Sequence, residues 1–177
     1  MHPLWKDYFA LLMEFEGTVY ECDPDDPGGA TKYGIDQRSH PGIDIKGLTL
    51  VKAEQIHLAE FMASAASKLP APHSFAYFDF AMNAGEVTAA KALQRAVDHK
   101  PVDGRVGPLT LKTVGEFLSR TGGNEKLVLK FAAKREIFYM NLVHRSPKKN
   151  KFLTGWTRRC NAMKKWAAER LNDKEAA

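Results

Sequence analysis

From about Ser74 to Val97 the chain carries apolar residues on most sides of a helical repeat, among them Phe75, Phe78, Ala81, Met82, Ala89, Leu93 and Val97. A helix that is apolar on most sides cannot face water and has to be buried. The remaining elements must therefore pack around this segment. The 177 residues suit one domain, or a compact domain with a small appendage. A chain of this size removes roughly 70% of its unfolded surface from water, so it needs no metal or disulfide to hold together.

The flanking segments read mostly as helices. Phe9, Leu12, Met13 and Phe15 recur at helical spacing between Trp5 and Phe15, and Gly17 supplies a stop. A loop of turn formers follows, Cys22-Asp23-Pro24-Asp25-Asp26-Pro27-Gly28-Gly29, and then a short extended stretch from Ala30 to Ile35. Thr49 caps a helix that runs to Lys68, where Leu69-Pro70-Ala71-Pro72 breaks it. Asp98 to Gly107 is a turn region, and Pro108 opens a helix reaching Leu118. Two last helices, Glu125 to His144 and Phe152 to Leu171, flank the basic linker Arg145 to Lys151. The expectation is a mostly α fold with one small hairpin near residues 19 to 35.

Charge is unevenly spread within the net +5. Acidic residues gather between Glu14 and Asp44, and basic ones between Lys148 and Arg170. An acidic pocket with a basic tail suits an acid/base enzyme on an anionic polymer; the plain alternative is a solvated helix face. A nucleic-acid binder would leave the acidic loop unexplained, so no nucleic-acid partner is expected. The two cysteines, Cys22 and Cys160, lie in no CxxC or Cys/His cluster and read as free thiols, with a disulfide as the alternative. No apolar run approaches the roughly 20 residues that span a bilayer. Lys6, Asp7 and Glu14 interrupt the N-terminal apolar residues, so that segment does not read as a signal peptide.

One constellation carries chemistry. Breaking a glycosidic bond takes a carboxylic acid to protonate the leaving oxygen and a second carboxylate to steer water or attack the sugar. Such an acid works best in apolar surroundings. Glu16 follows Phe15 where an apolar helix meets a loop, and that loop offers Asp23, Asp25 and Asp26 as the second group. Thr31 adds a hydroxyl able to hold a water. A turn-capping role is the plain reading of Asp25. A calcium loop is disfavoured, because Pro27 and Gly34 occupy positions where such a loop needs ligands.

The spacing of Glu16, Asp25 and Thr31 resembles the Glu, Asp, Thr spacing of phage-type lysozymes. The run Phe15-Glu16-Gly17, then Tyr20, then Asp23-Pro24-Asp25-Asp26-Pro27-Gly28-Gly29-Ala30-Thr31-Lys32-Tyr33-Gly34-Ile35 resembles the signature of the glycoside hydrolase family 108 muramidases. That family includes phage endolysins and bacterial proteins described as secretion activators. Phe78-Asp79-Phe80-Ala81-Met82-Asn83-Ala84-Gly85 is similar to its central helix motif. Leu93-Gln94-Arg95-Ala96 and Asp103-Gly104-Arg105-Val106-Gly107-Pro108-Leu109-Thr110 resemble the start of its peptidoglycan-binding region, and Phe152 to Arg159 its closing motif. Thr18 departs from the family's second Gly, and one residue is inserted before Asp23.

The resemblance implies a lysozyme-like helical domain over residues 1–90 and a peptidoglycan-binding helical region over residues 91–177 packed on it. It implies hydrolysis of the β-1,4 bond between N-acetylmuramic acid and N-acetylglucosamine, with no cofactor or metal. Glu16 takes the place of the catalytic acid. Motif matching puts the second carboxylate at Asp26, and distance from Glu16 puts it at Asp25; Asp26 is the tighter match. Thr31 is expected to orient the water, Tyr20 and Tyr33 to face the sugar, and Asn83 to hydrogen-bond an N-acetyl group, its plain alternative being a satisfied helix Asn. Trp156 reads as a core anchor, and His57, His73, His99 and His144 are given no role. The expected partner is bacterial peptidoglycan, reached as a monomer in the periplasm or cell envelope with the help of a holin or secretion system. A non-catalytic peptidoglycan-binding protein on the same fold is the alternative.

Overall fold

The computed structural model describes residues 2–22 and 29–175, with side chains as far as Leu171. The chain packs as two compact units, Met1–Ala63 and Ser64–Ala177. The described residues form seven α-helices and one small sheet, which matches the mostly α expectation.

The first unit begins with α1 (Trp5–Glu16). It buries Trp5, Tyr8, Phe9 and Leu12, residues that recur at intervals of three and four and so share one helix face. Opposite α1 stands α2 (Leu50–Ala63). Trp5 packs on Phe61 with ring centroids 5.6 Å apart, and its indole N–H donates to Glu54 at 3.1 Å. Thr49 caps α2 as expected, its hydroxyl accepting the Lys52 amide at 3.3 Å. Ser64 caps a short 3₁₀ turn, Ala65–Lys68, at the start of the second unit, so the α-helix ends earlier than the sequence suggests.

Between α1 and α2 the chain forms β1 (Glu21–Cys22), β2 (Ala30–Lys32) and β3 (Ile35–Asp36) in one antiparallel sheet. The expected hairpin is therefore part of a three-stranded sheet. Lys32 pairs with Ile35, leaving Tyr33 and Gly34 as a two-residue turn. Ile35, Ile45, Leu48 and Ala53 form a buried cluster beneath it, and Tyr20 and Tyr33 pack on that cluster half-buried.

In the second unit the apolar stretch is two helices, α3 (His73–Ala84) and α4 (Glu86–Ala96). Gly85 breaks it at φ +88°, backbone that side-chain-bearing residues rarely adopt. Periodicity alone could not show this, since each half keeps an apolar face. Then follow α5 (Pro108–Leu118), α6 (Gly123–Arg145) and α7 (Asn150–Glu175). A 3₁₀ turn, Pro147–Lys149, occupies the basic linker.

Two polar devices hold this unit. Fully buried Gln94 on α4 accepts the Gly104 amide at 2.9 Å and donates to Asp103 at 2.7 Å and to the Arg105 carbonyl at 3.1 Å. That side chain fixes the turn between α4 and α5. On α3, buried Asp79 accepts Arg135 of α6 at 2.5 Å and Arg159 of α7 at 2.8 Å. Burial alone would push the Asp79 carboxyl up, but the two guanidinium groups outweigh it and hold it below its ordinary value of 3.8.

Replacing Asp79 by Asn leaves two guanidinium groups buried without their counter-ion. Loss of one partner of a buried ion pair costs about 3–5 kcal/mol, and a fall of that size is expected in urea unfolding. The wild-type contribution of this group is complete above the ordinary carboxylate value and is lost as pH falls through the lower folded-state value. The stability gap between Asp79→Asn and wild type should therefore shrink only below about pH 4, near the unfolded Asp value. An unchanged midpoint in Asp79→Asn would contradict the role given to this carboxylate.

Candidate active site

Glu16 is the last residue of α1, and Gly17 turns the chain out of the helix. The Glu16 side chain is half-buried and lies directly over Gly34. A Cβ added to Gly34 would stand 2.8 Å from Glu16 Cγ and Oε2, closer than atoms can approach. Glycine is therefore favoured there twice over, because a Cβ would force the Glu16 side chain to shift and because of its φ of +75°.

Tyr33 also has positive φ, +56°. Positive φ at both central residues of a two-residue hairpin loop defines a type I′ turn, whose twist suits the flanking strands. Left-handed backbone costs a non-glycine residue about 1–2 kcal/mol, so something must hold Tyr33 in place. His57 of α2 does so. It is fully buried, and its Nε2 lies 2.8 Å from the Tyr33 carbonyl. Only an N–H can face a carbonyl oxygen at that distance, so Nε2 carries the hydrogen and donates. The other ring nitrogen lies 3.1 Å from Glu60 Oε2, and His40 Nε2 lies 3.3 Å from Glu60 Oε1. A chain of contacts thus runs from His40 through Glu60 and His57 to the turn that faces Glu16.

Thr31 lies in β2, paired with Glu21 on one side and Asp36 on the other. Lys32 reaches across to donate to the Leu48 carbonyl at 2.8 Å, tying β2 to the segment before α2. A hydrogen bond with the Cys22 thiol, aided by burial, pushes the Tyr20 phenol above its ordinary value. The first unit therefore holds Glu16, Tyr20, Thr31 and Tyr33, with Glu16 in contact with the turn that contains Tyr33. Asp23, Asp25 and Asp26 lie outside the described residues.

Asn83 belongs to the second unit, on α3. Arg135 Nε donates to the Tyr139 hydroxyl at 3.2 Å, so that hydroxyl turns its own hydrogen toward Asn83 Oδ1, 2.5 Å away. The amide oxygen is thereby occupied, and the amide NH₂ of this exposed residue is directed elsewhere. Trp156 is half-buried and stacks on Tyr139 with centroids 4.8 Å apart, so it backs this network as a packing residue. Both cysteines are free thiols, Cys22 exposed and Cys160 buried. Burial pushes the Cys160 thiol up to about 11, which keeps it protonated and unreactive at neutral pH.

Sequence reading gave no role to His57, and placed Gly34 in the family signature and as a missing calcium ligand without giving it a structural role. The signal for the turn was present in Tyr33-Gly34 between two short strands. The signal for His57 was not, because its partner is a backbone carbonyl 24 residues away.

An acid at a helix end, held against a strained hairpin turn in a mostly helical fold, suits a glycoside hydrolase, and the comparisons agree. The model of the family described as Glycosyl hydrolase 108 matches residues 9–85, and that of the Predicted Peptidoglycan domain matches residues 88–161. The solved structure of SagA from Brucella abortus is similar at 25% identity and a TM-score of 0.74, with 96% of each chain covered. No curated protein matches the chain. These findings define the class, a peptidoglycan hydrolase of the glycoside hydrolase kind. Residues 9–85 thus match glycosyl hydrolase family 108, and a segment that matches a peptidoglycan domain follows them. Among the described residues no helix is long and apolar enough to cross a membrane.

Two variants test the turn. Gly34→Ala should displace the Glu16 carboxyl and lower the rate of wall cleavage by about 10²-fold, the effect of a misplacement near 1 Å. Circular dichroism should show the helices intact; full activity would mean that Glu16 does not need this contact. His57→Leu removes the donor to Tyr33 and should lower the maximal rate more than it weakens substrate binding. His57→Gln, whose side-chain amide can still donate, should recover part of that loss. Equal losses in the two His57 variants would reduce the residue to core packing.

Proposed function

We propose that the chain is an N-acetylmuramidase, a lysozyme-type enzyme that hydrolyses the β-1,4 bond between N-acetylmuramic acid and N-acetylglucosamine. The observation that carries this reading is the contact of the Glu16 carboxyl with the type I′ turn at Tyr33-Gly34. Glu16 also stands shortly before the acidic segment in sequence.

In this reading Glu16 protonates the leaving oxygen. Asp26 is the second carboxylate, with Asp25 the alternative, and it steers water or attacks the sugar carbon. Thr31 orients the water from β2. The half-buried Tyr20 and Tyr33 offer flat apolar faces with polar tips to the sugar ring. The Asn83 amide NH₂, left available once Tyr139 takes its oxygen, donates to an N-acetyl carbonyl. No step calls for a cofactor.

Purified peptidoglycan digested by wild type and by Glu16→Gln, with mass spectrometry of the fragments, tests the assignment. Wild type should release fragments with reducing muramic acid ends. Glu16→Gln should be slower by about 10²–10⁴-fold, the contribution of a general acid, while still binding wall. Reducing glucosamine ends would move the cut to the other sugar bond. Retained binding with no cleavage by wild type would leave a wall-binding protein without catalysis.

A further inference from the structure

The second unit opens a cleft of about 380 Å³ between α4 and α6, a volume within the usual range of ligand sites. Fully buried Phe80 lines its base, and Phe138 adds a second ring. Arg95 enters from α4, and Lys134, Asn141 and Arg145 from α6. No acidic side chain among the described residues lines it. The nearby acid, Asp98, is held by Lys130 at 2.8 Å and acts on Lys134 only at longer range.

Three like charges facing one cleft repel, and walls of low dielectric sharpen the field between them. The resulting positive field favours an anionic ligand. Lys134 and Arg145 are eleven residues apart, three turns of one helix face, so their backbone positions are about 16 Å apart along α6. Charges spread over that length suit several separated anionic groups better than one compact ion. The apolar side chains between them, Ile137, Phe138 and Leu142, suit short aliphatic groups.

In peptidoglycan the sugars are uncharged, because the lactyl carboxyl of muramic acid is consumed in its amide bond to the peptide. The negative charge resides on the carboxylates of the stem peptide, which also carries alanine methyl groups. We infer that the Arg95, Lys134 and Arg145 cleft binds the carboxylate-bearing stem peptide of peptidoglycan, with carboxylates on the cations and alanine methyls over Ile137, Phe138 and Leu142. This rests on peptidoglycan being the substrate, but it is independent of whether Glu16 cleaves it.

The test is an NMR titration of the full-length Glu16→Gln protein with a disaccharide-tetrapeptide, so that cleavage plays no part. Free carboxylates should bind with shifts at Ala92 and Phe138, and methyl esterification of the peptide should weaken binding by about tenfold or more, as expected when charge-assisted hydrogen bonds are lost. Adding Arg95→Gln and Arg145→Gln, two exposed positions, should give a similar loss with the free peptide and leave the thermal midpoint unchanged. Equal binding of free and esterified peptide would overturn the inference without any variant. So would binding of peptide-free glycan at the same resonances, or of polyglycerol phosphate in preference to the peptide. Tetrapeptide binding in a protein whose wild type cuts no wall would uphold the cleft while removing the muramidase reading.

Discussion

The architecture of the second unit depends on Asp79. Its carboxylate joins α3 to α6 through Arg135 and to α7 through Arg159, so one buried anion orients three helices. Burying three charges is costly, and apolar side chains of similar volume often stabilise a core as well or better. The gain lies in direction. Arg135 spends a second nitrogen on the Tyr139 hydroxyl, and that hydroxyl sets Asn83. The Arg135 guanidinium also lies 5.2 Å from the ring centroid of Phe80, which lines the basic cleft. An apolar core could hold the helices together but could not specify which way an amide on α3 presents its donors.

The first unit solves a similar problem with backbone geometry. A carboxyl group at the end of a helix has several rotamers, and fixing it takes a wall. Gly34 provides that wall because the lack of a Cβ lets the Glu16 side chain rest on its backbone. The type I′ turn that brings Gly34 there puts Tyr33 in the left-handed region, a local cost that persists only where surroundings over-determine it. The hydrogen bond from His57 and the cluster of Ile35, Ile45, Leu48 and Ala53 beneath the sheet supply that constraint. Strain, close contact and a buried donor thus converge on one acid.

Much of this was legible in the sequence, and what escaped shares a cause. Helix α1, the Thr49 cap and the start of α5 at Pro108 follow from local rules, because caps, proline and apolar spacing act within a few residues. The break at Gly85 escaped because the apolar pattern continues through it. The third strand escaped because strands of two or three residues carry too little alternation to register. Motif resemblance singled out Glu16 but did not explain its motifs. In the structure Gln94, Asp103 and Gly104 serve the turn between α4 and α5, and Asp79 and Arg159 serve the buried ion cluster. His57 and the grouping of Arg95 with Lys134 and Arg145 were invisible, since each depends on contacts between distant segments.

The charge distribution gains a different meaning from this placement. Read along the chain, the basic residues cluster after Lys148, which suggested a cationic tail. The cations that share a cleft come from earlier, one on α4 and two on α6. A tail of solvated lysines would attract any polyanion with little selectivity, and salt would screen it. A cleft with apolar side chains among its cations also demands a partner with apolar groups between its charges. A wall polymer has two chemically distinct parts, an uncharged glycan and a charged peptide. On the reading proposed above they meet different side chains: a carboxyl, two tyrosines and Asn83 for the sugar, three cations and the apolar side chains around Phe138 for the peptide. Recognition of the peptide would then favour substituted glycan over bare chitin-like chains, although the sugar bond being cut is β-1,4 in both.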